Sequence, residues 1–198
     1  KTDILIGTQM VAKGLDFDNV TLIGVINADT LLNYPDFRAF ERSYQLLAQV
    51  AGRAGRRDKQ GKVIIQAYDD QHRIIRQVID NKYLEMYNDE LTERRQFLYP
   101  PFTRMIFINI KHKDQDLLNV AAQRFATVLR GQLGRRVLGP EQPMVSRIRN
   151  YYIKQVIIKA DKESSIQKVK SILKETILQF QSEKDFRAVN VQVDVDPY

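Results

Sequence analysis

The first half of the chain alternates short apolar runs with segments of helical periodicity. The runs have the composition of strands that are buried on both faces of a parallel sheet, and they lie at residues 4–7, 21–26 and 62–67. Apolar side chains at helical spacing predict helices at residues 37–51, 70–80 and 83–98. Strands that alternate with helices predict an α/β domain.

The second half has a different order of elements. Its pattern predicts a strand, a helix, two strands, a helix and a strand, at residues 104–111, 114–133, 144–149, 153–160, 164–181 and 189–195. Asp114 and either Asp161 or Ser164 are suitable helix N-caps, Gly134 is a suitable helix stop, and Gly139-Pro140 indicates a turn. This βαββαβ order predicts the split-βαβ, ferredoxin-like sandwich, with four antiparallel strands and two helices on one face.

The bend Tyr99-Pro100-Pro101-Phe102 separates the two halves. Proline cannot continue a helix, and Tyr99 is pushed toward an extended conformation by the proline that follows it. We therefore predict two domains, 1–99 and 100–198.

Charge is divided unevenly between these domains. The 198 residues carry a net charge of +7, with 14 Lys+Arg and 14 Asp+Glu in 1–99 but 17 and 10 in 100–198. Surplus positive charge usually serves solubility, but its concentration in one domain favours a polyanion partner, and nucleic acid first of all.

Composition also excludes several kinds of site. With no Cys and two His, the chain has no disulfides, no thiolate nucleophile and no cysteine- or histidine-rich metal site, which fits a cytoplasmic protein. No apolar run approaches the roughly 20 residues of a membrane span. The chain begins in a predicted strand, with neither a leader nor an initiating Met, and we expect it to be cut from a larger protein. Three carboxylates, Asp29, Asp36 and Glu41, have no histidine or metal cluster beside them and are expected to be caps or ion pairs.

A dense chemical signal is Gln49-Val-Ala-Gly-Arg53-Ala-Gly-Arg56-Arg57, at the end of the helix predicted at 37–51. Arg53 and Arg56 are three residues apart and project from one helix face, and the glycines leave room for a ligand, so the face suits phosphate oxygens. The alternative is that the arginines only complement the negative end of the helix dipole.

A second segment, Gly7-Thr8-Gln9-Met-Val-Ala-Lys13-Gly14-Leu-Asp16-Phe17, follows the first predicted strand. The strand would deliver Thr8 and Gln9 to its carboxyl end, and Gly14 would allow a close backbone approach. Ligands of open α/β sheets bind at that edge, which favours a functional interpretation of both segments.

Together the two segments resemble motifs V and VI in the second RecA-like lobe of superfamily 2 helicases, and specifically the primosomal protein N′ (PriA) family of replication-restart helicases. Further segments resemble this family in the family's order, namely 35–42, 99–102, 138–140 and 193–197. The implied fold is the rear half of a RecA-like second lobe with a parallel sheet, followed by a ferredoxin-like α+β domain.

The resemblance implies roles for the motif residues. Arg56, as arginine finger, and Arg53 would reach the γ-phosphate of ATP and stabilise the charge that develops during hydrolysis. Gly14, Asp16 and Gln49 would border the nucleotide cleft. Thr8, Gln9 and Lys13 would hold DNA phosphates without reading bases. For Asp16 and Lys13, an exposed surface ion pair is the alternative.

The resemblance also implies what this chain lacks. The glycine-rich phosphate loop and the acidic Mg²⁺ motif of the family belong to the first lobe, and its cysteine-rich zinc module lies ahead of this portion. ATP and Mg²⁺ are therefore expected cofactors of the full-length helicase, and the chain alone is expected to bind none and to be inactive.

For the second domain the resemblance implies contact with forked and single-stranded DNA, with the acidic tail of single-stranded-DNA-binding protein, and with other primosome proteins. The expected DNA contacts, on an open sheet face, are Arg147, Arg149, Tyr152 and Lys154. Tyr151, which is expected beside Tyr152 on that face, and Gln155 are the expected partner contacts. Relatives tend to have basic residues on both sides of this aromatic pair, where Tyr151 and Ile153 stand here, and the alternative is that the aromatics pack against the sheet.

The sequence is thus interpreted as the C-terminal part of an ATP-dependent replication-restart DNA helicase. Two alternatives stay open: a non-enzymatic nucleic-acid-binding adaptor, and another superfamily 2 motor for branched nucleic acid.

Overall fold

The computed structural model describes residues 3–8, 20–54, 61–161 and 166–196, which fall into two units, Lys1–Glu93 and Arg94–Tyr198. The division predicted from sequence differs in assigning residues 94–99 to the first domain. Among the helices in the described ranges, none has the length and apolarity needed to cross a membrane.

In its described residues, the first unit contains a parallel pair of strands and four helices. Strand β1 (Leu22–Val25) pairs with β2 (Lys62–Ile65). The helices are α1 (Asp29–Leu32), α2 (Ala39–Ala51), α3 (Arg73–Ile79) and α4 (Tyr83–Gln96), and the last of these continues past the unit boundary at Glu93. This order confirms the α/β pattern.

Two details of the predicted sheet are wrong. Residues 3–8 are exposed and form neither helix nor strand, although a strand is expected at 4–7. Strands β1 and β2 alternate between exposed and half-buried residues rather than being buried on both faces. In the described residues each of these strands has a neighbour on one side only, so the pair exposes more side-chain surface than a central strand would.

The helices of the first unit supply its core. The buried cluster consists of Leu32, Tyr44, Ile74, Ile75 and Met86. The buried positions of α2 recur at helical spacing, which turns one face of that helix inward and leaves the other for solvent or a ligand.

The second unit is an antiparallel sheet with two long helices. The strands are β3 (Thr103–His112), β4 (Val137–Glu141), β5 (Arg147–Ile148), β6 (Tyr151–Asp161) and β7 (Asn190–Val195), and the helices are α5 (Gln115–Leu133) and α6 (Ile166–Ser182). The four main strands lie in the order β4-β6-β3-β7, and the short β5 pairs with β6. This is the predicted split-βαβ arrangement.

The prediction of the second strand of this domain is wrong. Gly139-Pro140 lies inside β4 rather than in a turn, and only Arg147–Ile148 of the predicted 144–149 strand pairs with β6. A register shift between Leu138 and Glu141 accommodates the Gly-Pro pair at the edge of the sheet. Gly139 has φ +88, and a Cβ there would lie 2.7 Å from the carbonyl oxygen of Gln155.

The helices and one sheet face enclose the main core. Ile106, Ile108 and Ile110 of β3 are buried in it together with Phe125 of α5 and Phe180 of α6. We call this sheet face the helix-covered face. Its alternating positions explain why β3 was recognisable from sequence.

The predicted caps of α5 are present. The side chain of Asp114 accepts hydrogen bonds from the backbone N–H groups of Asp116 (2.8 Å) and Leu117 (3.0 Å). These bonds, led by that from Leu117, hold the pKa of Asp114 below its usual value. Gly134, with φ +62, ends the helix.

Lys159 of β6 contacts the segment that precedes β3. Its Nζ donates a hydrogen bond to the carbonyl oxygen of Phe97 (2.7 Å) and lies 3.8 Å from the centroid of the Tyr99 ring. Burial lowers the pKa of this amine.

We expect the free energy of unfolding to rise with pH in the native chain relative to a Lys159→Met variant. The folded-state pKa of Lys159 lies below its ordinary value, so between the two values the unfolded chain binds more protons and stability increases with pH. Below both values the cost of burying the charge is constant. Urea unfolding of both proteins from about pH 8 to about pH 11 measures the difference. A difference independent of pH would contradict the lowered pKa.

Candidate nucleic-acid interface

Most of the predicted nucleotide-side and DNA-side residues of the first unit lie outside the described residues. These are Gln9, Lys13, Gly14, Asp16 and Arg56. Thr8 is described and is exposed. The structure therefore leaves their roles as predictions.

Gln49 and Arg53 are described at the end of α2. Gln49 is exposed, and Arg53 is half-buried in the turn after the helix, where its backbone N–H donates to the carbonyl oxygen of Val50 (3.1 Å). The side chains of these two residues carry amide and guanidinium donors, which suit an anion.

The other end of α2 is held by Asp36. Its carboxylate accepts hydrogen bonds from the backbone N–H of Arg38 (2.9 Å) and from Nη1 of Arg42 (2.8 Å). Asp29 accepts from the backbone N–H of Tyr68, and Glu41 accepts from the side chain of Gln45. The expectation that these carboxylates are caps or ion pairs is confirmed for Asp36, whereas the bonds of Asp29 and Glu41 are to a backbone N–H and a side-chain amide.

In the second unit, the candidate site is the hairpin formed by β5 and β6. Arg147 is directly opposite Tyr152, and Ile148 is directly opposite Tyr151. Arg149, with φ +56, lies in the turn between the strands. The guanidinium carbon of Arg147 lies 4.8 Å from the centroid of the Tyr152 ring, which is a cation–π contact.

The prediction that Tyr151 and Tyr152 lie with the basic residues on one sheet face is wrong. Successive side chains of a strand point to opposite faces, so Tyr151 and Tyr152 are on different sides of the sheet. Tyr152 is opposite His112 and Lys154 is opposite Ile110, which places both on the helix-covered side. Tyr152 is half-buried and packs against the core, as the alternative interpretation expected, while Tyr151 is 40% exposed.

The remaining predicted residue, Gln155, lies on the face without helices, which we call the open face. It is directly opposite Asn109, and its Nε2 donates a hydrogen bond to Asn109 Oδ1 (3.0 Å). On the same face the Nζ of Lys113 lies 5.6 Å from the centroid of the Tyr151 ring. Sequence reasoning missed Asn109, which lies in β3, and Lys113, which directly follows that strand, although alternate positions along an extended segment share one face.

The positive side chains of the hairpin are available to a ligand. Ion pairs in the described part of the second unit include those of Arg124 with Glu183 and of Arg136 with Asp161. Arg147, Arg149 and Lys154 have no carboxylate partner among the described residues. The hairpin is thus a cationic projection suited to phosphate oxygens.

The family model described as "Primosomal protein N C-terminal domain" matches residues 95–198. The chain belongs to the primosomal protein N family. The matched range corresponds closely to the second unit, so the family's C-terminal domain is here the βαββαβ sheet and its hairpin.

Curated relatives extend this similarity across the first unit. The chain is 40% identical over 200 residues to "Replication restart protein PriA" of Bacillus subtilis, covering 100% of this chain and 24% of that protein. It is 38% identical over 203 residues to the protein of that name from Treponema pallidum, covering 100% of this chain and 29% of the relative. It is 35% identical over 199 residues to the protein of that name from Haemophilus influenzae, covering 100% of this chain and 27% of the relative. The chain therefore spans about a quarter of the length of these primosomal protein N relatives.

Proposed function

We propose that the chain is the C-terminal part of an ATP-dependent DNA helicase that acts at branched DNA in replication restart and primosome assembly. The observation that carries the proposal is the similarity along the whole chain to proteins named "Replication restart protein PriA". The two motif segments, which resemble helicase motifs V and VI, support the enzymatic part.

In this proposal the C-terminal end of α2 binds the nucleotide. Arg53 and Gln49 carry donors that fit the anionic phosphates of ATP, and Arg56, Gly14 and Asp16 complete the cleft as the resemblance implies. ATP with Mg²⁺ supplies the phosphoryl group that is hydrolysed. The arginines stabilise the charge that develops on that group, and Thr8, Gln9 and Lys13 contact DNA.

The β5–β6 hairpin of the second unit binds DNA in this proposal. Arg147 is held over Tyr152 by the cation–π contact, so less side-chain freedom is lost when it meets a phosphate. Arg149 at the turn and Lys154 add positive charge on the same projection. Such contacts give affinity for DNA with little dependence on sequence.

Protein partners belong to the proposal as well. Single-stranded-DNA-binding protein and other primosome proteins are the partners that the family implies, with Tyr151 and Gln155 as predicted contacts. Tyr151 is exposed enough to take part.

We expect replacement of Arg147 and Arg149 by alanine to flatten the salt dependence of forked-DNA binding. Each lost phosphate contact lowers the slope of log affinity against log salt by about 0.9 on duplex DNA, so the double variant should lose up to about 1.8. Fluorescence anisotropy of labelled forked DNA at several salt concentrations measures this slope.

The matched control removes the same charge elsewhere. Arg124 and Arg187 are exposed, and Arg124 is paired with Glu183, so their alanine double variant should nearly keep the native slope. Equal flattening in both double variants would show that the hairpin has no special role in DNA binding.

A further inference from the structure

The segment 35–42 resembles the helicase family in sequence, but the proposed function gives it no role. It forms the turn into α2, and Asp36 is at its centre. The carboxylate of Asp36 accepts hydrogen bonds from the backbone N–H of Arg38 (2.9 Å) and from Nη1 of Arg42 (2.8 Å). Its backbone carbonyl oxygen accepts from the N–H of Ala39, the first residue of α2 (2.9 Å). We call Asp36, Arg38 and Arg42 the helix-start cluster.

The helix-start cluster is more constrained than an exposed ion pair. The side chains of Arg38 and Asp36 are 19% and 18% exposed, and Arg38 Nε lies 3.6 Å from Asp36 Oδ1. The guanidinium carbon of Arg38 lies 4.9 Å from the centroid of the Phe37 ring. Partial burial and the ring contact limit the rotamers of Arg38, and hydrogen bonds are directional. The cluster therefore fixes the direction in which the chain enters α2.

Further hydrogen bonds connect the preceding helix α1 to the strand pair. Both carboxylate oxygens of Asp29, the first residue of α1, accept from the backbone N–H of Tyr68 (3.2 and 3.0 Å). The N–H of Ala28 donates to the carbonyl oxygen of Gln66 (2.9 Å). Gln66 and Tyr68 lie just beyond the end of β2. Polar contacts at both ends of this short connection thus fix the start of α2 relative to the strands.

The direction of α2 at its start determines where its other end lies. The helix has 13 residues and is therefore about 20 Å long, and Arg53 follows soon after its last residue. Burial of Tyr44 and Leu47 determines which face of α2 turns inward, but apolar contacts are non-directional and permit a small tilt. A tilt of about 3° at the start displaces the other end by about 1 Å. Misplacing a catalytic group by about 1 Å lowers a rate by as much as about 10²-fold.

We infer that Asp36 is a positioning residue for ATP hydrolysis, which fixes the start of α2 and thereby aligns Arg53 and Arg56 with the nucleotide. The inference rests on the proposed function and adds to it a role for the helix-start cluster. Asp36 lies at the end of α2 opposite Arg53, so it acts through the helix rather than by touching ATP. Its loss should therefore slow the chemical step and leave the binding of ATP and DNA almost unchanged.

The test measures phosphate release by the full-length protein at saturating forked DNA. Asp36→Ala removes both side-chain bonds and should lower kcat about 10- to 100-fold, with the KM for ATP within about threefold of native. Asp36→Asn retains one carbonyl oxygen and should lower kcat less. Asp70→Asn removes an exposed carboxylate elsewhere in the same unit and should keep native kcat. Melting temperatures of all three variants should be nearly native, because partly exposed ion pairs contribute little stability.

A double variant shows whether Asp36 acts through the arginines. If it does, Asp36→Ala/Arg56→Ala should hydrolyse ATP within about twofold of the rate of Arg56→Ala alone, because a finger that is absent cannot be misaligned. Independent effects would multiply. Hydrogen exchange supplies a readout besides activity: Asp36→Ala should speed exchange in the first turn of α2 and leave α3 native.

Several results would overturn the inference. These are native kcat in Asp36→Ala, or a loss that multiplies with that of Arg56→Ala. A lower melting temperature with equal losses of kcat and of ATP and DNA affinity would make the cluster structural only. The proposed function is tested separately, because Arg56→Ala alone keeps Asp36. Native turnover of Arg56→Ala contradicts the finger assignment, and the double variant is then made with Arg53→Ala.

Discussion

Replacing Arg56 by alanine in the full-length protein should lower DNA-stimulated ATP turnover by about 10³-fold or more. A finger arginine acts on charge that develops in the transition state, so its loss raises the barrier while substrate binding changes little. Phosphate release at saturating forked DNA measures the turnover, and anisotropy should show nearly native affinity for DNA.

The neighbouring Arg57 provides the control, because the resemblance implies no role for it. Arg57→Ala should stay within a few-fold of native turnover. If Arg56→Ala also does so, the finger is Arg53 or the assignment is wrong. Substantial hydrolysis by the 198-residue chain alone would contradict the assignment of the phosphate loop to another lobe.

Replacing Phe125 by alanine should destabilise the second unit by about 3–5 kcal/mol. The ring is completely buried, with its centroid 5.2 Å from that of Phe180, which in turn stacks on Phe186 at 4.9 Å. Truncation removes apolar burial and leaves a cavity between α5 and α6. Urea unfolding followed by circular dichroism measures the loss.

Thr127 is the matched control for Phe125, since it lies on the same helix and is exposed. Thr127→Ala should change the stability by less than about 0.5 kcal/mol. Hydrogen exchange should show the Phe125→Ala loss in β3, α5 and α6 and native protection in α2 and α3. Equal loss of protection in both units would mean that they unfold as one.

Local patterns were sufficient for most elements. Period-two alternation in β3 and helical spacing in α2, α5 and α6 reflect one buried face each, so the pattern predicts the element. Gly139-Pro140 was wrongly predicted to form a turn, because glycine and proline are common in turns. Here the two residues lie in an irregular edge strand.

The candidate site was predicted less completely. The motif segments carry their signal in residue type and spacing, and the roles of Arg53, Arg56 and their neighbours stay predictions. In the second unit the roles of the hairpin residues also stay predictions, and the prediction placed Tyr151 and Tyr152 on one face. Alternation along β6 separates them, and Asn109 joins Gln155 across 46 positions of sequence.

By itself, the sequence determined the class of most elements, the two-unit organisation with its basic second half, and the resemblance to one helicase family. All of these depend on residue identity and short spacings. Only the tertiary structure decided which strand is next to which, where Gly139-Pro140 lies and which side chains share the open face. Those outcomes depend on strand register, which is set by packing among residues far apart in the chain, and a shift of one residue moves every side chain to the other face.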